Sequence, residues 1–351
     1  MCTYVGNKIA LVAKKDITVY KQLHQHNDEW ITPYQYSQVQ LNKIMYPNEV
    51  KELHKESGNK YIIEGGAIHA HVKINKCFKY NACFKFKAII KAGTTYYVQD
   101  DFYDIAAKEL YITNEQVLLN NENELVSPDI KEIYNDYLRA VFNNPEYRND
   151  KGICVGFFKL SDGTYANPLS DFDHSKAIGV VGFLHENKPV VVALDSRKLP
   201  WLTKNKELPL VRRSSIEKSK LKTNVESCFV NDDMDGKKHT FDICNSIFYD
   251  QSQLKAINYC ITYNTEGTKK GDWYLGSIGE MMKISQNLGI INAAILTSGI
   301  GDEISLGTHW TSSETVSNGN HYIWICYMYD CDCNAFYQYE CAYAVRPLYS
   351  D

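Results

Sequence analysis

The side chains from which metal and acid–base sites are built fall into four sets in this chain, and each set lacks something its chemistry needs. Asn231-Asp232-Asp233-Met234-Asp235-Gly236, followed by Asp242, partly mimics an EF-hand calcium loop, with oxygen ligands at alternate positions and a glycine at the sharp turn. Its first ligand is Asn, its twelfth position is Asp where a bidentate Glu is expected, and no flanking helices are apparent. The segment reads as a structural Asp-Gly turn. His69-Ala70-His71 puts two imidazoles on one strand face, with Cys77 and Cys83 downstream, and His24-Gln25-His26 repeats the spacing. Tetrahedral zinc draws on tighter Cys or His pairs, so these read as strand histidines and buried thiols. Arg212-Arg213 through Lys222, with Ser214 and Ser215, reads as a solvated basic loop rather than an anion site. Near the C-terminus stand Cys326, Cys331, Cys333 and Cys341. Cys331 and Cys333 lie two apart in an apparent turn, and the neighbouring Asp330 and Asp332 raise a thiol pKa and oppose the thiolate. These sets assign no metal, no cofactor and no catalytic residue.

Composition narrows the class. With 351 residues, 44% hydrophobic and 23% charged, the chain has room for two domains with real cores. A net charge of -4 argues against a nucleic-acid partner, whose footprint is a strongly basic face. No apolar run is long enough to span a bilayer, and Met1-Cys2-Thr3-Tyr4-Val5 lacks the basic and apolar regions of an export signal. Eleven cysteines, an odd count without framework spacing, read as mostly reduced. The expected location is the cytoplasm, or a particle such as a virion assembled there. The unusual number is 26 Tyr. Tyrosine gives large, rigid, amphipathic contacts at low entropic cost, which binding loops favour, although it also fills half-buried strands.

The elements that must position these residues make an α+β chain. Residues 1–120 read as a mixed module of short strands: Ile9 to Val12, Ile17 to Tyr20, and the alternating Phe84 to Ile90. Ala92-Gly93-Thr94-Thr95 is a turn before Tyr96-Tyr97. Residues 121–149 read as a linker in which Ser127-Pro128-Asp129 opens a helix through about Val141. Ile130, Ile133, Tyr134, Tyr137 and Leu138 share its apolar face, which suits a connector packed on either domain or, alternatively, an oligomerisation helix. Residues 150–351 shift to short strands and turns. Val155-Gly156-Phe157-Phe158 and Ser161-Asp162-Gly163-Thr164 predict a hairpin turning at Asp-Gly. Ala177 to Val181 and Val190 to Leu194 are buried-strand runs. One helix is predicted from about Gln251 to Tyr263, capped by Asp250, with Leu254, Ile257 and Ile261 inward. A second starts at Ser277, where Ser-x-x-Glu makes a capping box with Glu280; Met281, Ile284 and Leu288 form its stripe and Gly289 its stop.

Trp310-Thr311-Ser312-Ser313-Glu314, Trp324 and the closing Val345-Arg346-Pro347 stand in order behind Gly271-Asp272-Trp273-Tyr274-Leu275 and Ser277-Ile278-Gly279-Glu280. Over 150–351 this set resembles the C-type-lectin-like fold of formylglycine-generating-enzyme-type domains. The closer resemblance is to the variant that diversity-generating retroelements use as a hypervariable display scaffold. The resemblance implies two helices around small twisted antiparallel sheets, with Trp273, Trp310 and Trp324 in the core. It also places Asp235-Gly236-Lys237 in a loop that family members carry. The opening of the chain is similar to proteins of gut Bacteroides and their phages, which implies no activity for residues 1–120.

The same resemblance supplies the functional expectation. Retroelement diversification changes adenines in a template, so Asn codons become Tyr, Asp, His, Ser or Cys. Asn320, His321, Tyr322, Tyr327, Tyr329, Asp330, Asp332, Asn334, Tyr337 and Tyr339 fit that set and are expected to form one contiguous binding face. Strand alternation over 322–329 puts Trp324, Cys326 and Met328 inward and Ile325, Tyr327 and Tyr329 outward. A Tyr-rich strand pair that never diversified is the plainer alternative. The implied partner is a cell-surface protein or glycan, bound by a phage receptor-binding or tropism-determining protein without enzymatic activity, with possible docking to a phage tail. A homo-oligomer, expected as a trimer, would raise avidity. A bacterial retroelement-diversified binding protein is the runner-up, and an oxidase on the same fold the third reading. The iron-dependent relatives use three histidines, a spacing not found here.

Overall fold

The computed structural model describes residues 9–32, 38–47, 68–75, 84–98, 104–119, 124–203, 232–245, 252–317, 320–328, 332–336 and 340–350. The fold is mixed α+β, with five helices among the described residues and sheets that are antiparallel apart from one parallel pairing. It divides into two compact units, Met1–Asn143 and Asn144–Asp351. No described helix is long and apolar enough to cross a membrane.

The first unit is built on a ten-stranded sheet whose spine is the long strand Ile17–His26, held between Ile68–His71 and Phe84–Ile90. The alternation of Phe84–Ile90 is realised: Phe86, Ala88 and Ile90 are buried and the intervening residues are not. The helix Ile130–Asn143 belongs to this unit and buries Ile133, Tyr134, Tyr137, Leu138 and Val141, the stripe its spacing predicts. Its entry is tied to the spine strand. Asp129 Oδ2 accepts from Thr18 N–H at 2.8 Å, and Ser127 Oγ accepts from Asp129 N–H at 3.1 Å.

The second unit carries two sheets. In the six-stranded sheet, Tyr165–Ala166, Phe158–Leu160, Ala177–His185, Lys188–Ala193, Pro347–Ser350 and Trp273–Leu275 lie in that order. The predicted Asp162-Gly163 turn joins the first two, with Thr164 N–H donating to Asp162 Oδ1 at 2.9 Å. Glu186 and Asn187, both left-handed at φ 47° and 66°, make the two-residue turn after Ala177–His185. The five-stranded sheet runs Arg197–Leu199, Tyr343–Val345, Thr308–Ser317, Asn320–Tyr327, Asp332–Phe336, with Asp332–Phe336 at the edge. Trp201, Trp273, Trp310 and Trp324 are each no more than 1% exposed and dominate the core.

The helices of this unit correct the sequence reading in three places. The first expected helix is shorter, Lys255–Thr262, with Leu254 at its N-cap position. Ala256, Ile257 and Cys260 are buried while Ile261 packs only partly, so the inward stripe is rotated towards Cys260. The predicted cap Asp250 lies outside the described residues. The capping box at Ser277 is present and starts Ile278–Gln286, but Gly289 does not end the helical run. A further helix, Leu288–Ser298, follows at once and stops at Gly299, whose φ of 70° is the left-handed conformation a glycine C-cap supplies. Asp235-Gly236 is likewise no simple turn, because Gly236–Cys244 is a helix and Asp235 sits at its N-cap position.

Candidate binding site

Trp310-Thr311-Ser312-Ser313-Glu314 lies within Thr308–Ser317, where the ladder to Asn320–Tyr327 breaks register. Trp310 faces Ile325 and Glu314 faces Ile323, so four steps on one strand match two on the other. The extra residues turn Ser312 and Ser313 into the interior, where they are 2% and 0% exposed. Ser313 Oγ donates to Asp233 Oδ2 at 2.6 Å and accepts from Ile278 N–H at 2.8 Å. Thr311 Oγ1 donates to Trp324 O at 2.7 Å, and Ser312 N–H donates to Gly276 O at 2.8 Å. The bulged strand is thereby fixed to the N-terminus of Ile278–Gln286 and to its own neighbour.

Below the bulge, Ser277, Glu280 and Tyr274 complete a buried network. Glu280 Oε2 lies 2.8 Å from Ser277 N and 3.0 Å from Ser277 Oγ, and Tyr274 OH donates to Oε1 at 2.9 Å. Ser277 Oγ also lies 2.6 Å from Asp233 O, a carbonyl that can only accept. A serine has one hydroxyl proton. That single proton is shared between Asp233 O and Glu280 Oε2, so the carboxyl receives only part of a hydroxyl donor. Burial raises the Glu280 pKa to about 7, with the nearby Asp233 adding to the rise and the hydrogen bonds from Ser277 and Tyr274 opposing it. Burial also pushes the Tyr274 hydroxyl well above its ordinary range, and Glu280 adds to that. Gly236 packs so closely that a Cβ there would collide with Glu280 Oε2 and Ser277 N.

Asp233, His239 and Ser312 have the residue types of a nucleophilic triad, but the geometry is that of an anchor. Ser312 Oγ to His239 Nδ1 is 3.5 Å and His239 Nε2 to Asp233 Oδ1 is 3.7 Å. All three are at most 5% exposed, which leaves a substrate no approach. Sequence reasoning places Asp233 only in a turn. The signal for its role is the pair of inward serines, visible once the register break is known.

Arg346 is the second anchor. The chain leaves the five-stranded sheet at Val345 and enters the six-stranded sheet at Pro347, so Arg346 stands at the crossing. The opposite crossing occurs between Lys188–Ala193 and Arg197–Leu199. The buried guanidinium joins the two: Nη2 donates to Leu194 O at 3.1 Å and to Asp302 O at 2.7 Å, and Nε to Asp195 O at 3.3 Å. Burial lowers its pKa to about 10, so it remains charged.

The expected binding residues are placed as follows. Asn320 and His321 pair through their backbones with Ser317 and Val316, and Asp332 with Tyr327. Tyr322 is half-buried opposite Thr315. Asn334 is exposed on the edge strand, opposite Ile325. Tyr329, Asp330, Tyr337 and Tyr339 lie outside the described residues. The inward–outward alternation is corrected, because Ile323, Trp324, Ile325 and Cys326 are all buried. On one face, Ile323 and Ile325 join Trp310, Leu275 and Ile257, and Tyr327 packs against the same cluster. On the other, Ile278–Gln286 covers the strand, with Ser285 Oγ donating to Met328 O at 3.0 Å. A strand covered on both sides has no solvent face. The period of two also puts Tyr322 on the Trp324 side, opposite to Tyr327, so the two do not share a face.

The other chemistry-bearing sets are dispersed. Cys333 lies in a strand rather than a turn, is buried and faces Cys326; Cys341 is half-buried, and Cys331 is outside the described residues. His69 and His71 are half-buried on Ile68–His71, and His24 and His26 pair with Ile31 and Glu29. Asn231, Cys77, Cys83 and the basic stretch from Arg212 to Lys222 lie outside the described residues. Among the described residues no group of three His, Cys, Asp or Glu side chains is placed to share a metal ion. Comparison of the chain with protein-family models, with curated proteins and with solved structures returns no match.

Proposed function

We propose that residues 144–351 form a C-type-lectin-like display domain of the kind diversified by retroelements. In this reading the chain recognises a cell-surface protein or glycan and catalyses no reaction. The observation that carries the reading is a division of labour among neighbouring residues. Trp310, Thr311, Ser312, Ser313, Trp324 and Arg346, the residues that carry the resemblance, are buried and bonded through their side chains or backbones into the frame. Asp332–Phe336, the described part of the Asn-, Asp- and Tyr-rich stretch, adjoins that frame as an edge strand, where Asn334 is exposed. The proposed contact surface is therefore the edge strand and its flanking segments: Asp332, Asn334 and the rim of Tyr327, with Tyr329, Asp330, Tyr337 and Tyr339. Tyr322 is removed from it by the strand's period. Rigid aromatic anchors among short polar residues suit such a surface.

In this reading the protein serves as a phage receptor-binding or tropism protein, and a trimer would multiply weak single contacts. A reverse-transcriptase gene beside a near-repeat with adenines at these codons would support diversification; a neighbourhood without them would remove it. The protein-level test is adsorption of the fluorescently labelled chain to intact bacterial cells. Combined Tyr329→Ala, Asn334→Ala and Tyr337→Ala replacement is expected to abolish adsorption in a protein that still folds, since a few contacts dominate an interface. Adsorption that survives the triple replacement, in a folded protein, refutes this surface.

A further inference from the structure

The last two strands of the five-stranded sheet bring two thiols face to face. Cys326 and Cys333 are direct partners in the antiparallel ladder, between the pairs Ile325↔Asn334 and Tyr327↔Asp332. Residues directly opposite in such a ladder have Cα atoms about 4.5–5.5 Å apart, inside the roughly 4.4–6.8 Å span of a disulfide. Their side chains leave the sheet on the same face. Both are buried, at 0% and 4% exposure, and both are present as thiols. Cys326 stands on an inner strand, and Cys333 on the edge strand, whose outer side pairs with no other strand among the described residues.

We propose that Cys326 and Cys333 are a redox modification site, converted by a small-molecule disulfide into a cross-strand disulfide that staples the edge strand to its neighbour. The Cys333 thiolate, reached when the edge strand opens, attacks one sulfur of the small disulfide and expels the other half as a thiolate. The Cys326 thiolate then attacks the Cys333 sulfur of this mixed disulfide and expels the second half. Two protein thiols become one disulfide, the small disulfide becomes two small thiols, and the two protons released by the cysteines go to the departing thiolates. The staple fixes the Cys326–Cys333 register and with it the pairing of Tyr327 with Asp332. Its formation does not depend on the binding role proposed above; only its effect on adsorption does.

The test treats the full chain, folded by circular dichroism, with glutathione buffers of rising oxidised fraction. Samples are quenched in acid, alkylated and cut with chymotrypsin, which separates Cys326 from Cys333 after Tyr327 or Tyr329. The expected product is one linked peptide pair, two hydrogens lighter than its parts, formed in the wild type and in Cys331→Ser. It is lost in Cys326→Ser and Cys333→Ser. Alkylated Cys326 and Cys333 at every buffer ratio would overturn the proposal, as would a stable glutathione adduct on either, or a link from Cys326 to Cys331 instead. The wild-type digest alone decides this, so a variant that fails to fold does not shield the idea.

Discussion

Glu280 makes the stability of residues 144–351 depend on pH in a direction opposite to that of a salt-bridged carboxylate. Its ordinary value of 4.5 is raised to about 7 in the fold, chiefly by burial. Between those values the unfolded chain has released the proton and the native chain retains it. Stability therefore falls as pH rises through this window, at about 1.4 kcal/mol per pH unit for one group. Across the window the loss amounts to about 3 kcal/mol. Below about 4.5 both states hold the proton, and above about 7 neither does, so this group's contribution is flat outside it.

Glu280→Gln is the perturbation that isolates the effect, because an amide is close to a permanently neutral carboxyl and can still meet Ser277 and Tyr274. Urea unfolding from about pH 4.5 to 8, followed by tryptophan fluorescence, reports this unit, since four of the five tryptophans lie in it and only Trp30 does not. Wild type and variant are expected to converge near about pH 5. By about pH 8 the variant is expected to be the more stable by up to about 3 kcal/mol. Subtracting the two curves removes histidines and other titrating groups common to both. Parallel curves would refute the protonated state. So would a variant that is the less stable by about 1.5–3 kcal/mol at about pH 8, which is the signature of a lost charged acceptor.

Three further outcomes follow from the same packing. Trp324→Ala, at a site 1% exposed and covered on both faces of its strand, is expected to cost about 3–5 kcal/mol in urea unfolding. A cost below about 1 kcal/mol would mean that the strand register is wrong. Gly236→Ala forces a methyl against Glu280 Oε2 and Ser277 N, and overpacking of this kind costs about 1–3 kcal/mol, read as a lower melting temperature. Arg346→Met keeps bulk but leaves three carbonyls at the sheet crossing without their donor, and is expected to cost at least about 3 kcal/mol. A near-neutral result there, with normal near-ultraviolet circular dichroism, would show that the crossings hold without it.

What can be read from the sequence is local, and what cannot be read is imposed from outside the segment. The Ser277–Glu280 capping box, the Asp162-Gly163 turn and the alternation of Phe84–Ile90 each carry their cause within a few residues, and each is legible. Leu288–Ser298 escapes a sequence reading because it is apolar nearly all round and buried from Leu288 to Ile295, so no 3.6-residue contrast marks it. The faces of Asn320–Tyr327 are misjudged for the parallel reason. Alternation foretells one wet face only when one side of a strand is left uncovered, and here a helix and a side-chain cluster cover both. Asp233 cannot be recognised as an anchor from its own segment, since its partner Ser313 is 80 residues away and faces inward only through the register break.

These long-range bonds bear on what a change in the edge strand would cost. Ser313, Thr311 and Arg346 bind groups on other elements, and none of the hydrogen bonds that fix them uses a side chain of Asp332–Phe336. Within that strand Cys333 is buried, Asn334 is exposed and Ala335 is half-buried. Replacing Asn334 removes no core contact and leaves no buried partner unsatisfied, so its cost falls within about 0.5 kcal/mol. Replacing Ser313 strips a buried carboxylate and a buried amide at once, and each such orphan costs about 1–3 kcal/mol. Among these positions the folding cost lies with Ser313 and Arg346 rather than with Asn334. Sequence change at Asn334 is then nearly without consequence for folding, which is the physical requirement of the display surface proposed above.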